Sequence, residues 1–200
     1  MAYIKTDEEN EFAVDEKEQP KPKVDEKKQV NIDNTYENLK QSLELYIADR
    51  KQSGDEETVY TAHTFLEWIK RQTEIIKDEK IFSISAEDNT EVKRGNVVWV
   101  DFGFNVADEF GGKHPAIIYR RSGTQVFVFP LTTQPPKGNK NVFVKVPYVH
   151  NFQKMNRWIN VLNLKCVSIQ RIDFNSKPFG NVNGKVLANI STTWQKQGIR

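Results

Sequence analysis

Two side chains in this 200-residue chain have the types needed to move a proton at a phosphate, and both lie within one forty-residue stretch. His114 follows Gly111-Gly112-Lys113 and precedes Pro115. Pro115 biases the residue before it towards an extended backbone, so the imidazole is expected at the mouth of a strand and not on a helix. A glycine pair just before a titratable residue lets the chain turn sharply and carry that residue over a groove. An unperturbed imidazole titrates near ~6.5, within reach of neutral pH. Thr132 ends a second run, Gln125–Leu131, and supplies a hydroxyl to hold a phosphate. Asn163 and Lys165 alternate with Val161 and are expected on one face of a later strand, completing a groove. Lys113 and Arg120 add positive charge as further nucleic-acid contacts. Together these types suit cleavage of RNA without a metal: the 2′-hydroxyl attacks the adjacent phosphorus, a base takes its proton, and donors stabilise the charged intermediate. The plainer alternative is that His114 merely ends a strand and Thr132 is a β-former.

Other chemistries lack their residues. There is no Walker-type loop, no His-x-x-x-His pair and no Gly-x-Ser-x-Gly elbow. From Arg94 onward the acids are only Asp101, Asp108, Glu109 and Asp173, too few for a carboxylate-held metal nuclease, and no cofactor is expected. The single cysteine, Cys166, excludes an internal disulfide and a cysteine-based zinc site.

Strands must position these groups. β-branched and aromatic runs bounded by Gly and Pro predict strands over Asn96–Phe102, Ala116–Tyr119, Gln125–Leu131, Val142–Val146, Ile159–Leu164 and Val167–Ile172. Leu187, Ile190 and Trp194 at helical spacing predict a closing helix over Val186–Gln197, with Gly198 past its end. Short strands with one closing helix favour a small, partly closed β-barrel. Upstream, Asn34 and Glu37 suggest a capping box for a helix to Arg50, with Tyr36, Leu39, Leu43, Tyr46 and Ile47 on one stripe. A second amphipathic helix runs from a cap at Ser53 or Asp55 to about Lys77, predicting a helical hairpin over residues 31–80. Residues 81–93 read as a linker, within which Ile81–Ser85 is a short strand or part of the connection. Residues 1–30 are dense in Glu, Asp and Lys with few large apolar residues, so a disordered acidic tail is expected there.

The net charge of +2 hides a segregation. Residues 1–93 carry 14 Lys and Arg against 23 Asp and Glu, and residues 94–200 carry 15 against 4. The basic half is what a polyanion partner requires, and the acidic half is its complement. We therefore expect the tail to occupy the basic groove in cis and damp it. No apolar run approaches the ~20 residues of a membrane span, so no membrane partner is expected. The polar N-terminus is unlike a secretory signal, which predicts a cytoplasmic protein.

Four segments also resemble the MazF/PemK toxin family. Arg94–Phe102 resembles its opening strand, and Glu109-Phe110-Gly111-Gly112-Lys113-His114-Pro115-Ala116 resembles its Glu-x-Gly-Gly-x-Arg-Pro-Ala segment. Val126–Thr133 is similar to its strand ending in Thr, and Val161–Ile172 to its later strand pair. The match runs from about Arg94 to the C-terminus, which makes residues 94–200 the barrel domain. The resemblance implies an α+β, SH3-like barrel with a C-terminal helix. It also implies an endoribonuclease toxin that cuts single-stranded RNA, leaving 2′,3′-cyclic phosphate and 5′-hydroxyl ends. A homodimeric state and an antitoxin partner are implied with it. The family has an arginine where this chain has His114, a threonine at Thr132, a polar residue at Asn163 and a serine at Asp108, a loop-edge RNA contact. The rival reading is an inactive RNA- or protein-binding module of the same fold, with the arginine lost. In a third reading the two helices are the functional surface and the barrel their scaffold.

Overall fold

A computed structural model describes residues 31–107, 109–138 and 140–198. The expected acidic tail, residues 1–30, and the candidate contact Asp108 lie outside the described residues. Backbone contacts divide the chain into Met1–Ala48 and Asp49–Arg200.

The first helix, α1, spans Ile32–Gln52. Its cap is not Asn34 but Asn31, whose side chain accepts a hydrogen bond from the Asn34 N–H at 3.0 Å. The second, α2, spans Glu56–Lys77, and Asp55 caps it as expected, accepting from the Thr58 N–H at 2.9 Å. Ile81–Ser85 forms no strand. A six-residue helix, α3 (Ala86–Glu91), follows, capped by Ser85, which accepts from the Asp88 N–H.

The barrel then begins. Its strands are β1 (Asn96–Asp101), β2 (Lys113–Ser122), β3 (Gln125–Pro130), β4 (Phe143–Val146), β5 (Arg157–Asn160), β6 (Lys165–Ser168) and β7 (Gly180–Asn181). Five form one antiparallel sheet in the order β6-β3-β2-β1-β7, and β4 pairs with β5 in a second. An isolated bridge between Thr132 and Trp158 ties the two sheets together. The last helix, α4, spans Gly184–Lys196 and is capped by Asn183, which accepts from the Val186 N–H at 3.0 Å.

Alternation along the strands sends side chains to two cores, one on each face of the large sheet. Val97, Ile117, Phe129 and Leu131 pack with the β4–β5 hairpin and with Val186 and Ile190 of α4. Val98, Val100, Ala116, Ile118, Val126 and Val128 pack with Val92, Phe102, Ile169 and Ile172. The sheet is therefore covered on both sides, which explains why its strands read as near-continuous apolar runs.

Two sequence expectations fail for a local reason. The strand expected over Ile159–Leu164 stops at Asn160, whose side chain accepts from the Leu162 N–H at 3.0 Å and opens a 3₁₀ turn, Val161–Asn163. Asn163 and Lys165 consequently do not alternate on one strand: the first closes the turn and the second opens β6, opposite Val128. Ser168 does the same to the next run, so β6 ends there and a 3₁₀ turn spans Ile169–Arg171.

Within the Asp49–Arg200 unit, α2 lies on the loop between β1 and β2. Phe65 packs on Phe104 at 5.2 Å between ring centroids. Trp68 sits against Gly103 so closely that a Cβ on that glycine would stand 2.2 Å from the indole nitrogen. Arg171 donates to Gln72, and Gln170 donates to the Ile75 carbonyl, fixing the C-terminal half of the helix.

Candidate active site

The loop before His114 is built from its own backbone. The Gly112 N–H donates to the Gly103 carbonyl at 2.7 Å, and the Phe102 N–H donates to the Gly112 carbonyl at 2.9 Å. The Asn105 side chain donates to the Phe110 carbonyl inside the loop. Gly112 has φ +75°, a conformation L side chains avoid, and a Cβ on Gly111 would lie 2.9 Å from the Gly103 carbonyl oxygen. Both glycines are thus required by the turn that delivers the chain into β2.

His114 is the second residue of β2 and pairs with Val100 of β1. Its ring packs at 4.7 Å from Phe110 and is half-buried. Burial lowers its pKa below the ordinary imidazole value, and a backbone hydrogen bond with Gly111 opposes this without cancelling it. The ring is therefore mostly neutral at pH 7 and suited to accept a proton rather than to act as a fixed charge.

Thr132 lies one residue beyond Leu131, whose N–H donates to the Pro115 carbonyl at 2.8 Å. That bond continues the β2–β3 register past its last pair, Ala116 with Pro130, and brings Thr132 opposite His114. Thr132 is also held from the other side, since its N–H and carbonyl both bond to Trp158 at 2.9 Å. Its hydroxyl oxygen accepts from the Gln134 N–H at 3.1 Å. A cleft of about 450 Å³ is lined by His114 and Thr132 together with Trp99, Leu131, Gln134, Phe152, Gln153, Met155 and Arg157.

Arg157, which the sequence reading did not single out, also lines the cleft. It opens β5 opposite Val146 and is only 5% exposed. One guanidinium nitrogen donates to the Gln153 carbonyl at 3.0 Å, and the group stands 5.3 Å from the Phe152 ring centre. Burial lowers its pKa. In the sequence Arg157 looks like one more cation of a polar loop. The available signal was the apolar residues that follow it, Trp158 and Ile159, which make it the first inward position of a strand.

The other predicted residues do not gather here. Lys113 points away from its neighbour His114, as alternation requires, and bonds to Asp173. Burial would raise the Asp173 pKa, but hydrogen bonds from Lys113, Ser176 and Asn175 and the Lys113 charge outweigh it and hold the carboxyl low. Lys113 lines a larger hollow of about 540 Å³ between α2 and the β1–β2 loop. Arg120 is exposed beside a bulge between Ile118 and Arg120. Asn163 and Lys165 are half-buried and do not line the cleft. Among the described residues no three His, Cys, Asp or Glu side chains group to hold a metal ion. No described helix is long and apolar enough to cross a membrane.

No curated protein matches the chain. Several solved structures do. An endoribonuclease in complex with its cognate antitoxin from a mycobacterial species is 18% identical, with a TM-score of 0.40, and the match covers 54% of this chain and 95% of that one. MazF from Deinococcus radiodurans is 18% identical, with a TM-score of 0.40 and coverage of 52% and 94%. The Mycobacterium tuberculosis toxin MazF-mt6 is 15% identical, with a TM-score of 0.39 and the same coverage. The family described as PemK-like, MazF-like toxin of type II toxin-antitoxin system matches residues 93–197, the α3–β1 junction through α4, and the chain belongs to that family.

Proposed function

We propose that the protein is a metal-independent endoribonuclease that cuts single-stranded RNA at the His114–Thr132 cleft. One observation carries this reading: the β2–β3 register brings an imidazole whose charged form burial disfavours opposite Thr132, whose backbone is tied to Trp158 and whose hydroxyl lines the same cleft. The neutral His114 ring takes the proton of a ribose 2′-hydroxyl as its oxygen bonds to phosphorus. The bond from phosphorus to the 5′-oxygen breaks, and that oxygen takes a proton, from the imidazolium or from water. The products are a 2′,3′-cyclic phosphate and a 5′-hydroxyl. The Thr132 hydroxyl donates to a non-bridging oxygen as charge builds on it. Membership of the family supports a homodimeric state and an antitoxin as protein partner.

The test is incubation of the full chain with a long single-stranded RNA in EDTA. Discrete fragments with 5′-hydroxyl ends are expected, with the rate falling about 100-fold or more in His114→Ala and Thr132→Ala, within the range that base catalysis and a lost donor account for. Intact RNA from the wild-type chain overturns the reading.

A second reading has its own support. The family's arginine is replaced by His114, whose burial disfavours the charged form, and this suits a module that binds RNA without cutting it. Such a module keeps an affinity that falls with salt and leaves the RNA whole.

A further inference from the structure

We infer that Arg157 is the phosphate-binding residue of the cleft, holding a non-bridging oxygen of the RNA backbone beside Thr132. This deepens the reading above and rests on it.

Among the described residues that line the cleft, Arg157 is the only permanently charged one, and no carboxylate lines it. The described ion pairs likewise give Arg157 no acidic partner. The arginine as a whole is only 5% exposed, and what its guanidinium faces is the cleft, so the charge has lost part of its hydration, which is costly unless an anion or further acceptors replace the solvent. The protein supplies such acceptors in part. One nitrogen bonds to the Gln153 carbonyl at 3.0 Å and reaches the Met155 carbonyl at 3.5 Å, and the Phe152 ring packs at 5.3 Å from the central carbon. These contacts fix the plane of the group and occupy one of its nitrogens. A guanidinium presents five donors in a fork that matches a phosphate, so donors remain for a ligand.

The position agrees with this role. Arg157 precedes Trp158, whose backbone bonds Thr132 in both directions at 2.9 Å. The cation thus sits one residue from the bridge that holds Thr132, which places it on the same cleft as the hydroxyl. His114, with its charged form disfavoured by burial, is left to the proton, and the fixed positive charge comes from the opposite wall of the cleft. A lysine would provide a point charge there but not the planar fork.

Single-turnover cleavage in EDTA, with wild type, Arg157→Lys and Arg157→Gln, tests this on the full chain. Thermal unfolding of each variant runs alongside. Loss of one preorganised donor predicts a fall of about 100-fold or more in the Gln variant, with partial activity in the Lys variant. Added guanidinium ion should restore part of the Gln variant's rate, which a damaged fold does not allow. Affinity for a fully 2′-O-methylated RNA, which has no nucleophile, is read against salt in parallel. Loss of one phosphate contact should lower the slope of log affinity on log salt by about 0.7 for a single strand. If wild type cuts and both variants cut as fast with the same slope, Arg157 has no such role. If wild type does not cut, the nuclease reading fails by itself, and an unchanged slope in the uncharged Arg157→Gln overturns the inference separately; so does a wild type that binds no RNA. Should Arg157→Gln not fold, Arg157→Met replaces it as the uncharged variant, and wild-type values of rate and slope in it overturn the assignment.

Discussion

At the scale of single residues, the environment of His114 has two consequences that run in the same direction with pH. Its folded pKa lies below the ordinary ~6.5 because burial disfavours the charged ring. As a general base it acts when neutral. The cleavage rate should therefore rise with pH, bend at a value below ~6.5, and stay flat through pH 7 to 8. The linkage to folding follows from the same shift. Above ~6.5 neither the folded nor the unfolded chain binds the proton, and nothing is lost. As pH falls below that value the unfolded chain protonates first, so stability decreases until the folded pKa is passed. His114→Gln should flatten that part of the stability curve, as measured by urea unfolding at pH 5 and pH 7.5. His114 and Thr132 were legible in the sequence because a Gly-Gly turn, a proline and a strand-ending threonine mark their places locally. Arg157 was not, because nothing local distinguishes an arginine facing a core from one facing solvent until the strand it begins is paired.

Elements set the geometry, and here one element outside the family segment packs on the loop that leads to the site. Trp68 of α2 rests on Gly103, which has φ +81° and closes the loop leading to His114. A methyl at position 103 meets the indole at 2.2 Å and also forces a side chain into a left-handed backbone conformation. Gly103→Ala should cost about 2–4 kcal/mol, combining overpacking with the strained conformation. Equilibrium urea unfolding checks this, and in a double-mutant cycle Gly103→Ala should cost less in a Trp68→Ala background than in the wild type, because the clash is gone. The element boundaries that sequence reading missed share one cause. Asn160 and Ser168 turn back to bond the backbone two residues on, ending strands that β-propensity alone would have continued. The pair Ser85 and Asp88 is a capping signal of the same kind, and it makes a helix of Ala86–Glu91, inside the 81–93 stretch that read as a linker.

For the whole molecule, the relevant unit is larger than the family segment. Backbone contacts place α2 in the Asp49–Arg200 unit, while the family match begins at residue 93. A chain of residues 93–200 keeps every strand yet bares the surface around Phe104 and Gly103 that Phe65 and Trp68 cover. Its Tm should be lower than that of residues 49–200 by several degrees, since a loss of 1 kcal/mol moves a domain of this size by about 2–8 °C. Calorimetry of the two chains settles it, and equal Tm values would make α2 a passive appendage. Six of the seven strands were legible in order because their runs are bounded by Gly and Pro, whereas β7, only Gly180–Asn181, has no run to mark it. The membership of α2 in the barrel's unit was not legible, since amphipathicity says that a helix face is buried without saying against what.

The contact between Trp68 and Gly103 also constrains descent. A glycine at 103 is demanded by the indole above it as well as by the turn, and the indole nitrogen, buried without a hydrogen-bond partner, gains nothing polar in exchange. The two positions are thus tied as lock and key across thirty-odd residues of chain. In a lineage that sheds α2, position 103 answers only to its backbone and is open to asparagine or aspartate. Where α2 is retained, a large residue at 68 and a glycine at 103 should be inherited together.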